Sequence, residues 1–194
     1  MDDTRAWLRL HLTPGLGRSA LFRLIGQFGD PRRVWPRVRG LRRGLASEVP
    51  AEDDPRLRNA LRRLQNAKAH LVTFWDPEFP PLLKTIPDPP ALLYVRGGLE
   101  REARRLAIVG SRRPTRTGLD WTEQLAAELS TRGITSVSGL ARGIDGAAHR
   151  GSLAGSGQTI AVLGCGIDRV YPAEHAELFD GIAEQGAVLS EYPP

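Results

Sequence analysis

The stretch that decides the fold is residues 106–116, LAIVGSRRPTR. Its first four residues form a continuous apolar run, which is typical of a strand buried on both faces of a sheet. A glycine follows at once, and the next segment, from about residue 117 to 131, is predicted to be helical. A strand that leads through a glycine-bearing loop into a helix indicates the start of a β–α–β unit.

The same order of strand, loop and helix repeats further along the chain. Strands are predicted at residues 135–137, 159–163 and 187–190, and helices at about 144–154 and 173–184. This alternation predicts a Rossmann-like, doubly wound and mostly parallel α/β sheet with right-handed crossovers. In such sheets ligands bind at the carboxyl ends of the strands, so the loops there are the expected site.

Residues 1–65 have a different pattern and are predicted to form a small all-helical domain. Apolar residues recur at helical spacing after a turn at residues 14–17, and again at about residues 55–69. Residues 66–194 then form the Rossmann-like domain. It begins with two predicted strands, at residues 70–75 and 91–95. Residues 77–90, which contain six prolines, connect these strands.

The net charge of +5 is distributed unevenly. Residues 1–70 carry 15 Lys/Arg against 7 Asp/Glu, whereas residues 71–194 carry 12 against 15. A basic block joined to a nearly neutral one favours an anionic partner, most commonly nucleic acid. The basic run at residues 37–43 fits a solvated surface equally well.

Composition also limits location and chemistry. No apolar run approaches the roughly 20 residues that cross a bilayer. The acidic start, with Asp2 and Asp3, lacks the layout of a signal peptide. The single cysteine, Cys165, allows neither an internal disulfide nor a metal cluster. We therefore expect a cytoplasmic protein without metal, cofactor or membrane partner.

The first glycine-bearing loop, residues 110–116, is the strongest candidate for phosphate binding. Gly110 allows the backbone to approach a ligand, and Ser111 and Thr115 offer hydroxyl donors. Three side chains add positive charge and forked donors suited to phosphate: Arg112, Arg113 and Arg116. The alternative is a tight turn with solvated arginines, but three arginines at a ligand-binding edge favour binding.

The second loop, residues 138–146, precedes a helix whose N-terminal amides and dipole favour an anion. Its candidate phosphate contacts are Ser138, Gly139, Arg142 and Gly143. Asp145 is expected to cap the helix or to orient Arg142 rather than to meet phosphate. His149, one turn later, is interpreted as structural.

The third loop, residues 164–172, contributes four candidates: Gly164, Gly166, Arg169 and Tyr171. Arg169 can contact a nucleic-acid backbone while Tyr171 stacks on a base, as is usual for single strands. The sequence leaves open the alternative that Tyr171 packs against the next helix. Cys165 has no obvious histidine partner and is interpreted as a small buried residue.

None of the three loops carries a pattern for breaking bonds. The sequence contains no carboxylate pair, metal-ligand spacing, Walker lysine or G-x-S-x-G motif. Its glycine spacing also differs from the G-x-G-x-x-G of nicotinamide dehydrogenases. We therefore predict a non-catalytic protein, with no catalytic residues, that holds phosphates.

At these loops the sequence resembles the DprA/Smf family of DNA-processing proteins. The family's G-S-R, S-G-x-A-x-G-I-D-x-x-A-H and G-x-G-x-x-x-x-Y-P motifs are matched at residues 110–112, 138–149 and 164–172. Further segments are similar to the family, at residues 79–83, 88–90, 93–97 and 190–194. The resemblance covers about residues 70–194.

The helical region is similar to the SAM-like or helix-hairpin-helix domain that many family members carry. Residues 12–18, LTPGLGR, match its hairpin. Backbone amides and a helix N-terminus can meet DNA phosphates there without reading bases. Gly15, Gly17 and Arg18 are therefore candidate contacts with the DNA backbone, including that of duplex DNA. An ordinary turn is the alternative.

The resemblance implies a recombination mediator that binds and protects incoming single-stranded DNA. It also implies loading of the RecA recombinase during natural transformation, and homodimers. By the resemblance, Ser111, Arg112 and Arg142 line the phosphate pocket with the glycines around them. The family's N-R-I-I-A-G-L-S motif does not occur before Pro194. The sheet is therefore expected to be incomplete at its C-terminal side, and homodimers are expected of the full-length protein.

The main alternative is a nucleotide hydrolase of the lysine-decarboxylase-like, or LOG, kind. These enzymes share a Rossmann-like core and a phosphate-binding edge, and resemble one another in a P-G-G-x-G-T-x-x-E motif. The glutamate of that motif takes part in catalysis, and the motif is not visible in this sequence. Hydrolysis of a nucleoside monophosphate distinguishes the two hypotheses.

Overall fold

The computed structural model describes residues 3–34, 49–100 and 103–194, so the basic run at 37–43 lies outside the described residues. The N-terminal helices are α1 (Asp3–His11), α2 (Arg18–Phe28) and α3 (Pro55–Asn66). Helix α2 ends at Gly29, which takes the left-handed conformation and donates its N–H to the Ile25 carbonyl. Within the described ranges no helix is long and apolar enough to cross a membrane.

The described part of the chain forms one six-stranded sheet in the order β1-β2-β6-β5-β4-β3. The strands are β1 (His70–Thr73), β2 (Leu92–Gly97), β3 (Arg104–Ala107), β4 (Ile134–Ser138), β5 (Thr159–Leu163) and β6 (Ala187–Ser190). Strands β3 to β6 are parallel, whereas β1 and β2 are antiparallel to their neighbours. The predicted mostly parallel, Rossmann-like α/β fold is confirmed.

Three helices connect the parallel strands: α4 (Arg116–Thr131), α5 (Ile144–Ala154) and α6 (Ala176–Gln185). Two short 3₁₀ helices, Pro81–Thr85 and Ala173–His175, lie in the connections. The strands β3, β4, β5 and β6 are neighbours in chain order. This sequential order is that of one half of a doubly wound sheet.

The apolar run that decides the fold differs in detail from its prediction. Strand β3 ends at Ala107, so Val109 lies in the loop and is 73% exposed, and Leu106 within the strand is 45% exposed. The expectation of burial on both faces was therefore wrong. The physical reason is that β3 is an edge strand among the described residues, with a neighbour only on the β4 side.

One cluster of buried hydrophobic residues, called the shared core below, contains residues of both the helical region and the sheet. Leu57 and Leu64 of α3 pack in the same buried cluster as Tyr94 of β2 and Ile167 of the third loop. The Tyr94 hydroxyl is 2.7 Å from Nδ1 of His11 in α1, and burial raises the pKa of Tyr94. The predicted boundary at residues 65–66 coincides with the end of α3, but the packing continues across it.

We predict that Leu57→Ala lowers the free energy of unfolding of the whole chain. Leu57 is fully buried in the shared core, so the cavity should cost about 2–5 kcal/mol. Denaturant unfolding followed by far-UV circular dichroism and by tryptophan fluorescence checks this, because Trp7 and Trp75 stack across the boundary. Leu82→Ala, at a leucine that is 75% exposed, is the control. Two separate transitions, with only one sensitive to Leu57→Ala, would contradict the shared core.

Candidate nucleic-acid interface

The loops after β3, β4 and β5 meet at the carboxyl edge of the sheet, as predicted. The Ile144 amide, at the start of α5, donates to the Ser111 carbonyl at 3.1 Å. The Ser138 hydroxyl donates to the Ile108 carbonyl at 2.6 Å, which joins the end of β4 to the residue after β3. Leu140 of the second loop packs in the same buried cluster as Ile167 of the third. The three family-like motifs therefore build one surface.

Gly143 and Gly110 allow the first loop to lie directly on the second. Gly143 has a φ of +79°, and a Cβ there would collide with the Ser111 carbonyl and lie 2.8 Å from Cδ of Pro114. A Cβ at Gly110 would lie 2.8 Å from Cγ1 of Ile144. Both glycines were predicted as phosphate contacts. Their position shows that they also allow the two loops to pack together.

The first loop leaves two arginines without an acidic partner among the described residues. Thr115 caps α4 by accepting a hydrogen bond from the Gly118 amide at 3.1 Å, and Arg116 pairs with Asp120 at 3.0 Å. Arg112 and Arg113 are exposed, and neither makes an ion pair within the described residues. The Ser111 hydroxyl accepts a hydrogen bond from the Arg113 amide at 3.1 Å, which fixes the turn that presents them.

The second loop already contains an internal anion. The buried Asp145 carboxylate accepts hydrogen bonds from the Gly139 and Ala141 amides at 3.1 and 3.4 Å. Because Ser138 is also buried and donates to the main chain, Ser138 and Gly139 shape the loop. The prediction for Asp145 was partly wrong: its carboxylate holds loop amides, and Arg142 is held by a different acid.

That acid is Glu174, which the sequence analysis did not single out. Nε and Nη2 of Arg142 donate to Oε1 and Oε2 of Glu174 at 2.5 and 3.1 Å. These hydrogen bonds hold the pKa of Glu174 down at about 2 and raise the pKa of Arg142. The only sequence signal was its place two residues after Pro172 of the Y-P motif.

The third loop presents an arginine and an aromatic ring. Tyr171 is 61% exposed, so its ring is free to stack on a base, and Arg169 is exposed without an ion pair in the described ranges. Gly164 has open space around it, whereas a Cβ at Gly166 would lie 2.8 Å from Oδ1 of Asp168. Gly166 is therefore a packing position.

Helix α3 holds this loop from the other side. Nε of Arg63 donates to Oδ2 of Asp168 at 2.7 Å, and both side chains are largely buried. Cys165 lies half-buried in the same loop, and burial raises the pKa of its thiol. The interpretation of Cys165 as a buried residue was therefore only partly right, and the raised pKa of its thiol does not suit a nucleophile.

His149 is removed from the edge. It is fully buried, its Nδ1 is 2.7 Å from the Thr159 hydroxyl, and burial lowers its pKa to about 3. A histidine that stays neutral in the core agrees with the structural interpretation. Across the described ranges, no three His, Cys, Asp or Glu side chains are grouped to hold a metal ion.

The helical hairpin lies near the same edge, but its arginine is occupied. Gly15 has a φ of +73° in the turn, and Gly17 is the N-cap of α2. Arg18 pairs with Asp88 at 2.8 Å and lies 3.6 Å from Glu191, beside a cavity of about 400 Å³. Arg18, the predicted contact with the DNA backbone, therefore already lies between two carboxylates.

The fold and the edge together define a Rossmann-like protein with exposed arginines at the carboxyl edge of its sheet and an N-terminal helical region. The family model described as DNA recombination-mediator protein A matches residues 70–194. The chain belongs to this family.

Curated relatives agree with this assignment. Protein Smf from Synechocystis is 39% identical over 96% of this chain and 50% of its own length, and Protein Smf from Escherichia coli is 35% identical over 100% and 53%. The DNA processing protein DprA from Streptococcus pneumoniae is 41% identical over 62% of this chain and 40% of its own length. The chain thus spans about half the length of the curated relatives it matches.

Two solved structures are similar. The X-ray structure of DprA from Streptococcus pneumoniae has a TM-score of 0.77 and 29% identity, and the match covers 100% of this chain and 69% of that one. A structure of DprA from Helicobacter pylori, described for its unique single-stranded DNA binding mode, has a TM-score of 0.56 and 32% identity. That match covers 66% of this chain and 58% of the other.

We predict that Gly143→Ala destabilises the edge while Gly164→Ala does not. An alanine at residue 143 is strained by its positive φ and collides with the first loop, so we expect a loss of about 1–3 kcal/mol. A Cβ at Gly164 meets nothing within 4 Å. Thermal unfolding, with amide NMR shifts of Ser111 and Arg113, checks both. Equal stability of the two variants would contradict the loop contact.

Proposed function

We propose that the chain is a DNA-processing recombination mediator that binds single-stranded DNA at the carboxyl edge of its sheet. One observation carries the proposal. Arg112, Arg113 and Arg169 are exposed at this edge without acidic partners among the described residues. The exposed ring of Tyr171 lies in the same third loop as Arg169. The structure of the Helicobacter pylori relative, described for its single-stranded DNA binding mode, supports the choice of ligand.

The mechanism is electrostatic capture followed by immobilisation of the strand. Free guanidinium forks bind successive phosphates and release the counterions condensed on the DNA. Tyr171 offers a ring on which any base can stack. Because phosphates and ring faces are common to all nucleotides, binding should depend strongly on salt and weakly on base sequence.

The same edge favours binding over catalysis. Its acids are engaged with the protein itself: Asp145 with loop amides and Glu174 with Arg142. The histidine of the second motif, His149, is buried away from the edge and neutral. A LOG-type hydrolase needs a carboxylate directed at its nucleotide, so the non-catalytic function is the better supported of the two.

The wider role rests on the family. We propose that the full-length, cytoplasmic protein protects incoming single-stranded DNA and loads the RecA recombinase onto it during natural transformation, as a homodimer. Contact with duplex DNA through Gly15, Gly17 and Arg18 has less support, because Arg18 is paired with Asp88 and lies near Glu191. The proposed DNA site is the edge itself: its three unpaired arginines with Tyr171, together with Gly110, Ser111, Thr115, Arg116, Ser138, Gly139, Arg142, Gly143, Gly164 and Gly166.

Arg112→Ala should weaken single-stranded DNA binding about fivefold for every base sequence, because it removes roughly 1 kcal/mol of phosphate contact. It should also flatten the slope of log affinity against log salt by about 0.7, the equivalent of one phosphate on a single strand. Fluorescence anisotropy with oligothymidylate, oligoadenylate and a mixed sequence measures both.

Arg132→Ala is the matched control, since Arg132 is an exposed arginine that follows the far end of α4 and pairs with Glu128. Equal weakening of DNA binding by the two variants would contradict the edge as the binding site. Release of a free base or phosphate from a nucleoside monophosphate, lost in Arg112→Ala, would instead support the hydrolase.

A further inference from the structure

The strongest unassigned feature of the edge is the ion pair that joins the second loop to the segment after the third. Arg142 is 56% exposed and Glu174 is 52% exposed, yet the two side chains meet through two parallel hydrogen bonds. An exposed arginine normally samples many rotamers, at an entropic cost of about 2 kcal/mol when it is fixed. This contact restricts the rotamers of Arg142 before any ligand arrives.

The contact is side-on and leaves part of the guanidinium fork unused by Glu174. The acid takes one N–H from Nε and one from Nη2. A guanidinium has five N–H donors, so three are left after the two that Glu174 takes. A side-chain hydrogen bond with Tyr171 also contributes, after Glu174, to raising the pKa of Arg142, so the Tyr171 hydroxyl meets the same guanidinium and leaves the other donors for an anion.

Glu174 is itself fixed in place. It lies in the 3₁₀ helix Ala173–His175, whose His175 amide donates to the Pro172 carbonyl at 3.0 Å. Nδ1 of His175 lies 3.0 Å from the Leu140 carbonyl in the second loop. The carboxylate therefore holds Arg142 from a turn that is anchored to the same loop.

We propose that Glu174 is a positioning residue for single-stranded DNA binding: it holds Arg142 so that the end of its fork faces a phosphate. This inference rests on the proposed function, and it gives a carboxylate a supporting role in a site that binds an anion. Removal of an acid from such a site ordinarily strengthens DNA binding, because repulsion falls. Here the positioning effect should exceed that gain.

The test is a double-mutant cycle between Glu174→Ala and Arg142→Ala in the whole chain, measured by anisotropy with oligothymidylate. Glu174→Ala should weaken binding about two- to tenfold, as expected from the loss of about 0.5–1.5 kcal/mol of pre-ordering of one side chain. In the Arg142→Ala background the same change should have no weakening effect. Glu174→Gln keeps one acceptor oxygen and should recover part of the affinity.

Glu177→Ala is the matched control. Glu177 is an exposed acid in the first turn of α6, and it has no ion pair within the described ranges. This variant should leave binding unchanged or slightly tighter, and circular dichroism checks that every variant is folded.

Three results would overturn the inference. Tighter binding by Glu174→Ala than by Glu177→Ala would make Glu174 a competitor of phosphate. Equal losses with and without Arg142 would make its role purely structural. Absence of binding by the wild-type chain would overturn the proposed function as well, which distinguishes that failure from the first two.

Discussion

The edge of the sheet depends on one close backbone contact, where residues 111–114 cross Gly143 at the start of α5. Only a residue without a Cβ, in a left-handed conformation, leaves room for the Ser111 carbonyl there. The contact turns two separate loops into one surface and directs Arg112 and Arg113 away from the core. The glycines of the motifs are therefore important for packing as much as for ligand approach.

Around this contact, some charged side chains have partners within the protein, whereas others have none among the described residues. Asp145 satisfies loop amides, Glu174 satisfies one side of Arg142, and Asp168 pairs with Arg63 of the helical region. These carboxylates thus join the loops of the edge without pairing with Arg112, Arg113 or Arg169 among the described residues. Contacts already made before binding reduce the entropy that the surface loses when it holds a flexible polyanion. The shared core connects the edge to the helices, since α3 contacts both the sheet and the third loop.

The sequence predicted the order of elements and the meeting of the three loops. A glycine after a parallel strand is a local signal, and the carboxyl ends of parallel strands lie at the same edge of a sheet. It could not predict which arginines of the edge lack an acidic partner among the described residues. Arg142 and Glu174 are 32 residues apart, and Arg63 and Asp168 are 105 apart, so their pairing depends on packing between elements. The edge position of β3 escaped prediction for a related reason: an apolar run indicates a strand but not its neighbours.

The central claim, that unpaired arginines of the edge bind the strand, is tested most directly by NMR of the arginine Nε–H groups during titration with oligothymidylate. The structure predicts that the signals of Arg112, Arg113 and Arg169 shift first and furthest. Arg18, held between Asp88 and Glu191, should change little. Shifts confined to Arg18 and other arginines of the helical region would contradict the account and would move the binding site to the hairpin.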